Sequence, residues 1–207
     1  MAFRRRAAIA MLAVATMAIP SAAFAADATP TPVVQEIEIP MTMSSFDPEV
    51  AAQYGYELRT NTKGQLVTVK VGAPIETGTV LPAGLPGAGE TPAAGTVSPM
   101  NIVTADCGSS YAWLYNDQNA KYHFSTGFGV TTSAVAYTWR AQVYSGGYIR
   151  TWNYNGGLAL RRTWEGTGQD YTTNPGKLHT VYASGSATLA NGVICVSGGP
   201  SDQQYIG

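Results

Sequence analysis

The sequence contains few of the residues that carry catalysis or bind metals. Its 207 residues include only two histidines and two cysteines, and charged side chains make up 12% of the chain. No CxxC, GxSxG, DxDxDG or glycine-rich phosphate loop occurs in it. Two isolated histidines do not provide the usual ligand spacing of zinc. We therefore expect no metal site and no cofactor, and the pattern favours a protein that is not an enzyme.

The chain also has no large excess of positive or of negative charge. The formal net charge is −1, and residues 101–207 hold six basic against five acidic side chains. Proteins that bind nucleic acids or anionic membrane surfaces carry a concentrated cationic field, which is missing from this sequence. We expect no nucleic-acid partner.

Long hydrophobic runs are limited to the N-terminus. Met1–Arg6 is basic, and Ala7–Ile19 is an apolar run of 13 residues, shorter than the ~20 residues that span a bilayer. Ala23-Phe24-Ala25 fits the cleavage rule for exported proteins. The pattern predicts a signal peptide over residues 1–25, cut between Ala25 and Ala26, with the general secretory and twin-arginine routes both open. No later run is apolar enough to span a membrane, so we expect a secreted, extracellular protein with no integral membrane segment.

The two cysteines of an exported chain favour a disulfide between Cys107 and Cys195. In the chain-entropy model, closing a loop of this length contributes ~4–5 kcal/mol, less any native strain. A reactive thiol pair is the alternative, but no CxxC motif or adjacent basic cluster favours a thiolate.

Composition divides the rest of the chain into four parts. Residues 26–40 begin with ADATPTP and are predicted to be a flexible arm. Residues 41–71 are predicted to form a short helix, with Asp47 as N-cap and Pro48 at its first position, followed by a hairpin. This segment is either an accessory to the main domain or a pro-segment. Residues 72–100 are rich in glycine and proline, lack aromatic residues and are predicted to be a linker.

Residues 101–207 are predicted to form the main domain. Ala134–Tyr144 alternates strictly, with Val135, Tyr137, Trp139, Ala141 and Val143 on one face. Turn signals separate the β-rich runs, which predicts a disulfide-tied antiparallel β-sandwich of about 7–8 strands, with a closed barrel as the alternative. The turn signals are Ser145-Gly146-Gly147, Asn155-Gly156-Gly157, Asn174-Pro175-Gly176 and Asn191-Gly192. The other predicted strands are Lys121–Thr126, Tyr148–Tyr154, Leu158–Glu165, Leu178–Ser184, Ala187–Leu189 and Val193–Ser197.

One strand carries the candidate binding face. Tyr148, Arg150, Trp152 and Tyr154 alternate and therefore share one side of their strand. Aromatic rings attract the faces of sugar rings through dispersion, and arginine is a hydrogen-bond donor. The alternative is that these side chains simply pack the sheet, since aromatic residues are common in strands. An arginine on this face indicates that it is not part of a dry core.

Several segments resemble small secreted actinobacterial proteins of unknown function. The segments are SFDPEVAAQYGYELRT, TADCGSSYAWLYN, YTWRAQVYSGG and NGVICVSGGPSD. The resemblance covers residues 41–59 and 101–207, and it implies secretion, the disulfide and the sandwich. It implies no activity and no catalytic residues.

These patterns favour a secreted, non-enzymatic binding domain that recognises a glycan, a cell-envelope component or an extracellular protein. Two alternatives remain open. One is a small hydrolase that uses Glu165 or Asp170 with His123 or His179. The other is a peptidase inhibitor that presents the loop 166–176.

Overall fold

Strands make up most of the described molecule. The computed structural model describes residues 38–88 and 106–207. Within these ranges there are one short helix and one 3₁₀ turn, so the all-β prediction is confirmed. In chain order the elements are β1 (Ile39–Phe46), α1 (Pro48–Gln53), β2 (Tyr56–Thr60), β3 (Leu66–Lys70), the 3₁₀ turn (Ile75–Thr77), β4 (Thr79–Val80), β5 (Asp106–Asn116), β6 (Lys121–Ser145), β7 (Tyr148–Tyr171), β8 (Lys177–Leu189), β9 (Val193–Ser197) and β10 (Ser201–Ile206).

Seven strands form one antiparallel sheet in the order β10-β8-β9-β1-β5-β6-β7, and β6 also pairs with β8. The long strands β6 and β7 each contribute to two layers. Residues 121–129 of β6 pair with β5 and with residues 163–171 of β7, and these parts form the first layer. Residues 136–145 of β6 pair with residues 148–157 of β7 and with β8, and together with β10 they form the second layer. The predicted antiparallel sandwich is confirmed.

The bend between the layers explains a wrong turn prediction. Asn155-Gly156-Gly157 stays in β7 and pairs with residues 136–138 of β6 instead of turning. The pairing register of β6 shifts between Gly129 and Ala136, and Ala159 and Leu160 of β7 have positive φ. Irregular pairing of this kind bends a strand without ending it. Segments predicted as separate strands are therefore parts of the same long strands.

The core lies between the two layers. The predicted alternation of β6 is confirmed, because Trp139, Ala141 and Val143 are buried. Trp139 packs against Phe128 of the first layer, and its Nε1 donates a hydrogen bond to Thr126 Oγ1 at 3.0 Å. A buried indole N–H needs such a partner, so this bond fixes how the layers face each other.

The N-terminal strand β1 belongs to the main sheet, between β5 and β9. Its Met41, Met43 and Phe46 are buried in the same core as the aromatic residues of β6. The predicted boundary between residues 40 and 41 therefore lies inside a strand. The predicted disulfide is confirmed: Cys107 of β5 and Cys195 of β9 are bonded, with Cα atoms 6.2 Å apart.

The predicted helix and hairpin are both present. Asp47 caps α1 by accepting hydrogen bonds from the backbone N–H groups of Glu49 and Val50, at 3.0 and 3.1 Å. Strands β2 and β3 form a three-stranded sheet with β4. This part is tied to the main sheet, since Asp47 N–H donates to Gly192 O at 2.7 Å and Thr68 Oγ1 donates to Asn191 O at 2.9 Å.

The predicted linker is ordered over its first part. Leu81, Leu85 and Ala88 are buried, and Phe46 N–H donates to Pro86 O at 2.8 Å. Composition suggested that this segment has too little apolar surface to order itself, but it docks its leucines into the core made by other elements. The rest of the linker, most of the predicted arm and the predicted signal peptide lie outside the described residues.

Candidate functional site

The four predicted binding residues face inward, toward the first layer. We call Tyr148, Arg150, Trp152 and Tyr154 the inner face of β7. Tyr154 Oη donates to Thr167 O at 2.8 Å, and Arg150 Nε donates to Asp170 Oδ2 at 2.6 Å. Both bonds join the first half of β7 to its second half.

Trp152 and Tyr154 are half-buried because the first layer covers them. Trp152 packs edge-on against Phe124, with ring centroids 4.8 Å apart, and Tyr154 packs against Trp164 at 5.2 Å. Tyr148 and Arg150, at the open end of the layers, remain exposed, and the Arg150 guanidinium lies 5.9 Å from the Tyr148 ring centroid. Two of the four side chains therefore serve mainly to pack the layers together.

Two glycines of β7 make room for these rings. Gly166 and Gly168 occupy inward positions of the first layer, opposite Thr126 and Phe124 of β6. A Cβ atom at Gly168 would lie 3.0 Å from Trp152 Nε1 and would collide with the Phe124 ring. These glycines are therefore required by close packing, because their φ angles lie outside the left-handed region.

The four residues of the predicted hydrolase form no direct hydrogen bond with one another and have different partners. His123 Nδ1 lies 2.6 Å from Asp117 Oδ1, and Glu165 Oε1 accepts a hydrogen bond from Ser125 at 2.9 Å. Asp170 pairs with Arg150, and His179 is buried beside Ser145 and Thr172. The predicted inhibitor loop 166–176 is part of β7 as far as Tyr171, so only its last five residues connect two strands.

A different set of aromatic residues is exposed, on the outward side of the second layer. Register places Tyr144 beside Ile149 and Thr180, Tyr182 beside Gln142, and Tyr205 beside Leu178. Because side chains in neighbouring strands line up across a sheet, these residues form one continuous surface over β7, β6, β8 and β10. We call it the outer tyrosine face, and its large exposed members are Tyr144, Ile149, Leu178, Tyr182 and Tyr205.

The outer tyrosine face combines exposed rings with neutral polar groups. Tyr144 Oη donates to Gln142 Oε1 at 3.4 Å, and Gln142 Nε2 donates to Thr151 Oγ1 at 3.2 Å. The Tyr182 ring lies against the backbone of Gly199, which fixes one side of it. Among the described residues, no other aromatic ring stacks on Tyr144, Tyr182 or Tyr205. These three rings therefore expose part of their surface to solvent.

The outward side of the first layer is aromatic as well, but its rings cover each other. Tyr111 and Trp113 stack with centroids 4.2 Å apart, and Tyr115 stacks on His123 at 4.6 Å. Each ring in these pairs has one face occupied by its neighbour. This side offers ring edges and the carboxylates of Asp117 and Glu165, which makes it a weaker platform for stacking.

Burial changes the acidity of three tyrosines. It raises the pKa of Tyr122 to about 12, with a further increase from the nearby Asp170 carboxylate and a smaller opposing effect from Arg150. Burial also raises the pKa of Tyr111 and of Tyr154. These phenols therefore stay protonated at neutral pH and act as neutral hydrogen-bonding groups.

The outer tyrosine face was missed although its signal was present in the sequence. The two-residue turn at Gly146-Gly147 places Tyr144 opposite Ile149 and Val143 opposite Arg150. Since Val143 was already predicted to share the core side of its strand with Trp139, that register sends Arg150 and its alternating neighbours inward. Aromatic alternation by itself does not tell which side of a strand faces outward.

No protein-family model, curated protein or solved structure matches this chain. No helix in residues 38–88 or 106–207 is long and apolar enough to cross a membrane. Within the same ranges, no three His, Cys, Asp or Glu side chains are grouped so that they could hold a metal ion.

Proposed function

We propose that this protein is an exported binding module that holds a neutral glycan of the cell envelope on its outer tyrosine face. The observation that carries the proposal is the group of five large apolar side chains exposed on one side of four neighbouring strands. Contiguous exposed apolar surface is uncommon in proteins that have no partner and typically marks a site of interaction.

The chemistry of the surface favours a glycan over other ligands. None of its five members is charged, and the groups between them are the amide of Gln142 and the hydroxyls of Thr151 and Thr180. Tyrosine rings bind the C–H faces of sugars through dispersion, while amides and hydroxyls bind the sugar hydroxyls. Arg140 lies two positions from Gln142 on the same side of β6, outside the five members of the face, and a single cation offers little to a highly charged polymer.

Binding to envelope polymers tests the proposal. The protein should co-sediment with at least one of insoluble β-glucan, chitin and peptidoglycan sacculi. The double variant Tyr144→Ala/Tyr182→Ala should lose affinity by about tenfold or more, because each ring contact contributes roughly 0.5–1.5 kcal/mol. Tyr115→Ala is the matched control, since Tyr115 and Tyr182 are both 38% exposed but lie on opposite outward sides.

Two results would contradict the glycan proposal. In the first, folded protein is retained by none of the three polymers. In the second, the double variant binds as well as the control variant, which would place the contact on another surface.

Export is the second part of the proposal, and it has its own support. The N-terminal sequence has the basic, apolar and small-residue order of a signal peptide, and the disulfide suits an oxidising compartment. Mass spectrometry of protein collected from the culture medium should find an N-terminus at Ala26. Retention of the full chain inside the cell would contradict export without affecting the glycan assay on purified protein.

A further inference from the structure

A buried serine, threonine and histidine meet at the open end of the two layers. We call Ser145, Thr172 and His179 the hydroxyl cluster. Ser145 Oγ lies 2.6 Å from His179 Nε2, Thr172 Oγ1 lies 2.7 Å from the same nitrogen, and the two hydroxyl oxygens are 2.9 Å apart. Ser145 ends β6, Thr172 follows β7, and His179 lies on β8, so the cluster joins three strands.

The hydrogen bonds of His179 assign its tautomer. Nδ1 lies 2.9 Å from the backbone carbonyl oxygen of Lys177, which can only accept, so Nδ1 carries the proton. Nε2 therefore presents a lone pair to the two hydroxyls. Nε2 can accept from either hydroxyl; in the arrangement in which Ser145 donates to it, the Thr172 proton points to Ser145 Oγ, and Thr172 Oγ1 accepts the backbone N–H of Asn174 at 3.0 Å.

The serine faces a small cavity, and the histidine lies behind it. The cavity has a volume of about 100 Å³, whereas His179 itself is fully buried. A nucleophile that opens to a cavity, a base behind it and a third group that orients the base together form the usual arrangement of an activated serine. The residues lining the cavity are Tyr122, Val143, Ser145, Tyr148, Arg150, Tyr171, Thr172 and Thr173.

Arg150 supplies a positive group at the same cavity. Arg150 lines the cavity, and its Nε donates a hydrogen bond to Asp170. N–H donors placed in this way can stabilise the negative oxygen that develops when a carbonyl group is attacked. The tyrosine rings and Val143 give the cavity apolar walls, and its volume is that of about three water molecules.

From this geometry we infer that Ser145 is a reactive nucleophile that cleaves short-chain acyl esters, with His179 as its base. Ser145 Oγ forms a bond to the acyl carbon while its proton passes to His179 Nε2. The ester C–O bond breaks, and the alcohol leaves with that proton. Water then attacks the acyl-enzyme, releases the carboxylic acid and restores the serine hydroxyl. Because the pocket beside Ser145 is small, we expect short acyl groups such as acetyl to react faster than long ones. This inference does not depend on the glycan proposal.

Covalent labelling of the full-length, disulfide-bonded protein tests the inference directly. Phenylmethanesulfonyl fluoride should sulfonylate Ser145 with loss of fluoride, and peptide mass spectrometry should locate the adduct there. 4-Nitrophenyl acetate should be hydrolysed much faster than the corresponding octanoate. Ser145→Ala should lower the rate of acetate hydrolysis about 10²-fold or more, since base-assisted attack contributes roughly 10²–10⁴-fold.

Ser125→Ala is the matched control. Ser125 and Ser145 are both 8% exposed and both bonded to a titratable side chain, but the partner of Ser125 is Glu165. The control variant should keep both labelling and hydrolysis. The double variant Tyr144→Ala/Tyr182→Ala should also keep them while it loses glycan binding, which separates the two proposals.

The inference is overturned if no adduct forms at Ser145 of the folded wild-type protein, or if folded Ser145→Ala hydrolyses the acetate ester as fast as wild type. Either result would make the hydroxyl cluster a purely structural network. If Ser145→Ala does not fold, the site of labelling in the wild-type protein still decides between the two outcomes.

Discussion

The two sides of β7 between Tyr148 and Tyr154 carry different residues and have different roles. On the inner face, Trp152 and Tyr154 contact the other layer, and Arg150 pairs with Asp170. On the outward side, Ile149 joins the outer tyrosine face and remains exposed. The difference shows that aromatic content alone does not identify a binding surface, because register decides which side chains the fold itself uses.

The largest expected effect comes from removing the disulfide, which should destabilise the whole fold and therefore both sides of β7. Replacing Cys107 and Cys195 with alanine removes a link across 88 residues of chain, and we expect the free energy of unfolding to fall by about 4–5 kcal/mol. Urea titration followed by tryptophan fluorescence measures this loss. A loss below about 1 kcal/mol would show that the layers are held together without the bond.

The second prediction separates the two sides directly. Trp152→Ala should lower the free energy of unfolding by about 2–4 kcal/mol, because it removes a ring packed between the layers. Ile149→Ala, three positions away on the outward side, should cost less than about 1 kcal/mol. Equal losses for the two variants, measured by the same urea titration, would contradict the assignment of the inner face.

The third prediction tests the space left by glycine. Gly168→Ala should cost about 1–3 kcal/mol, since the added methyl group collides with Phe124. Gly157→Ala is a control on the same strand, where the nearest atom to an added Cβ is Val135 O at 3.6 Å. This control should stay within about 0.5 kcal/mol of wild type. A tolerated Gly168→Ala would mean that the layers are farther apart than described.

The fourth prediction concerns alkaline pH and has the smallest expected effect at neutral pH. The folded state keeps the proton of Tyr122 up to a pKa of about 12, whereas the unfolded chain loses it near 10.0. The unfolded state therefore binds fewer protons in this window, and stability should fall as pH rises from 10 toward 12. Tyr122→Phe should show a shallower decline in thermal midpoint over that range. An unchanged slope would contradict the burial of this phenol.

Local features of the fold were predictable from the sequence because they depend on neighbouring residues. The cap at Asp47, the alternation of Ala134–Tyr144 and the turn at Gly146-Gly147 are each set by a few consecutive side chains. The disulfide was predictable because only two cysteines are present.

Features that depend on distant pairing were not predicted. IPMTMSSF is a weak strand signal, and β1 is stabilised by β5 and β9, which follow much later in the chain. The order of residues 72–88 likewise depends on where Leu81 and Leu85 insert. The hydroxyl cluster brings together side chains from three segments. No local sequence motif predicts such a contact, because it depends on how distant strands pair.

The place of β1 between β5 and β9 sets the order in which the molecule can be completed. The Ser44 hydroxyl donates to Ile194 O, 150 positions further along the chain, so the first of the described strands completes its pairing only after one of the last has been synthesised. Until β5 and β9 have paired with β1, Met41 and Met43 cannot be buried in the core as they are in the folded protein. Because β1 pairs only with strands far along the chain, we expect its docking to be one of the late steps of folding.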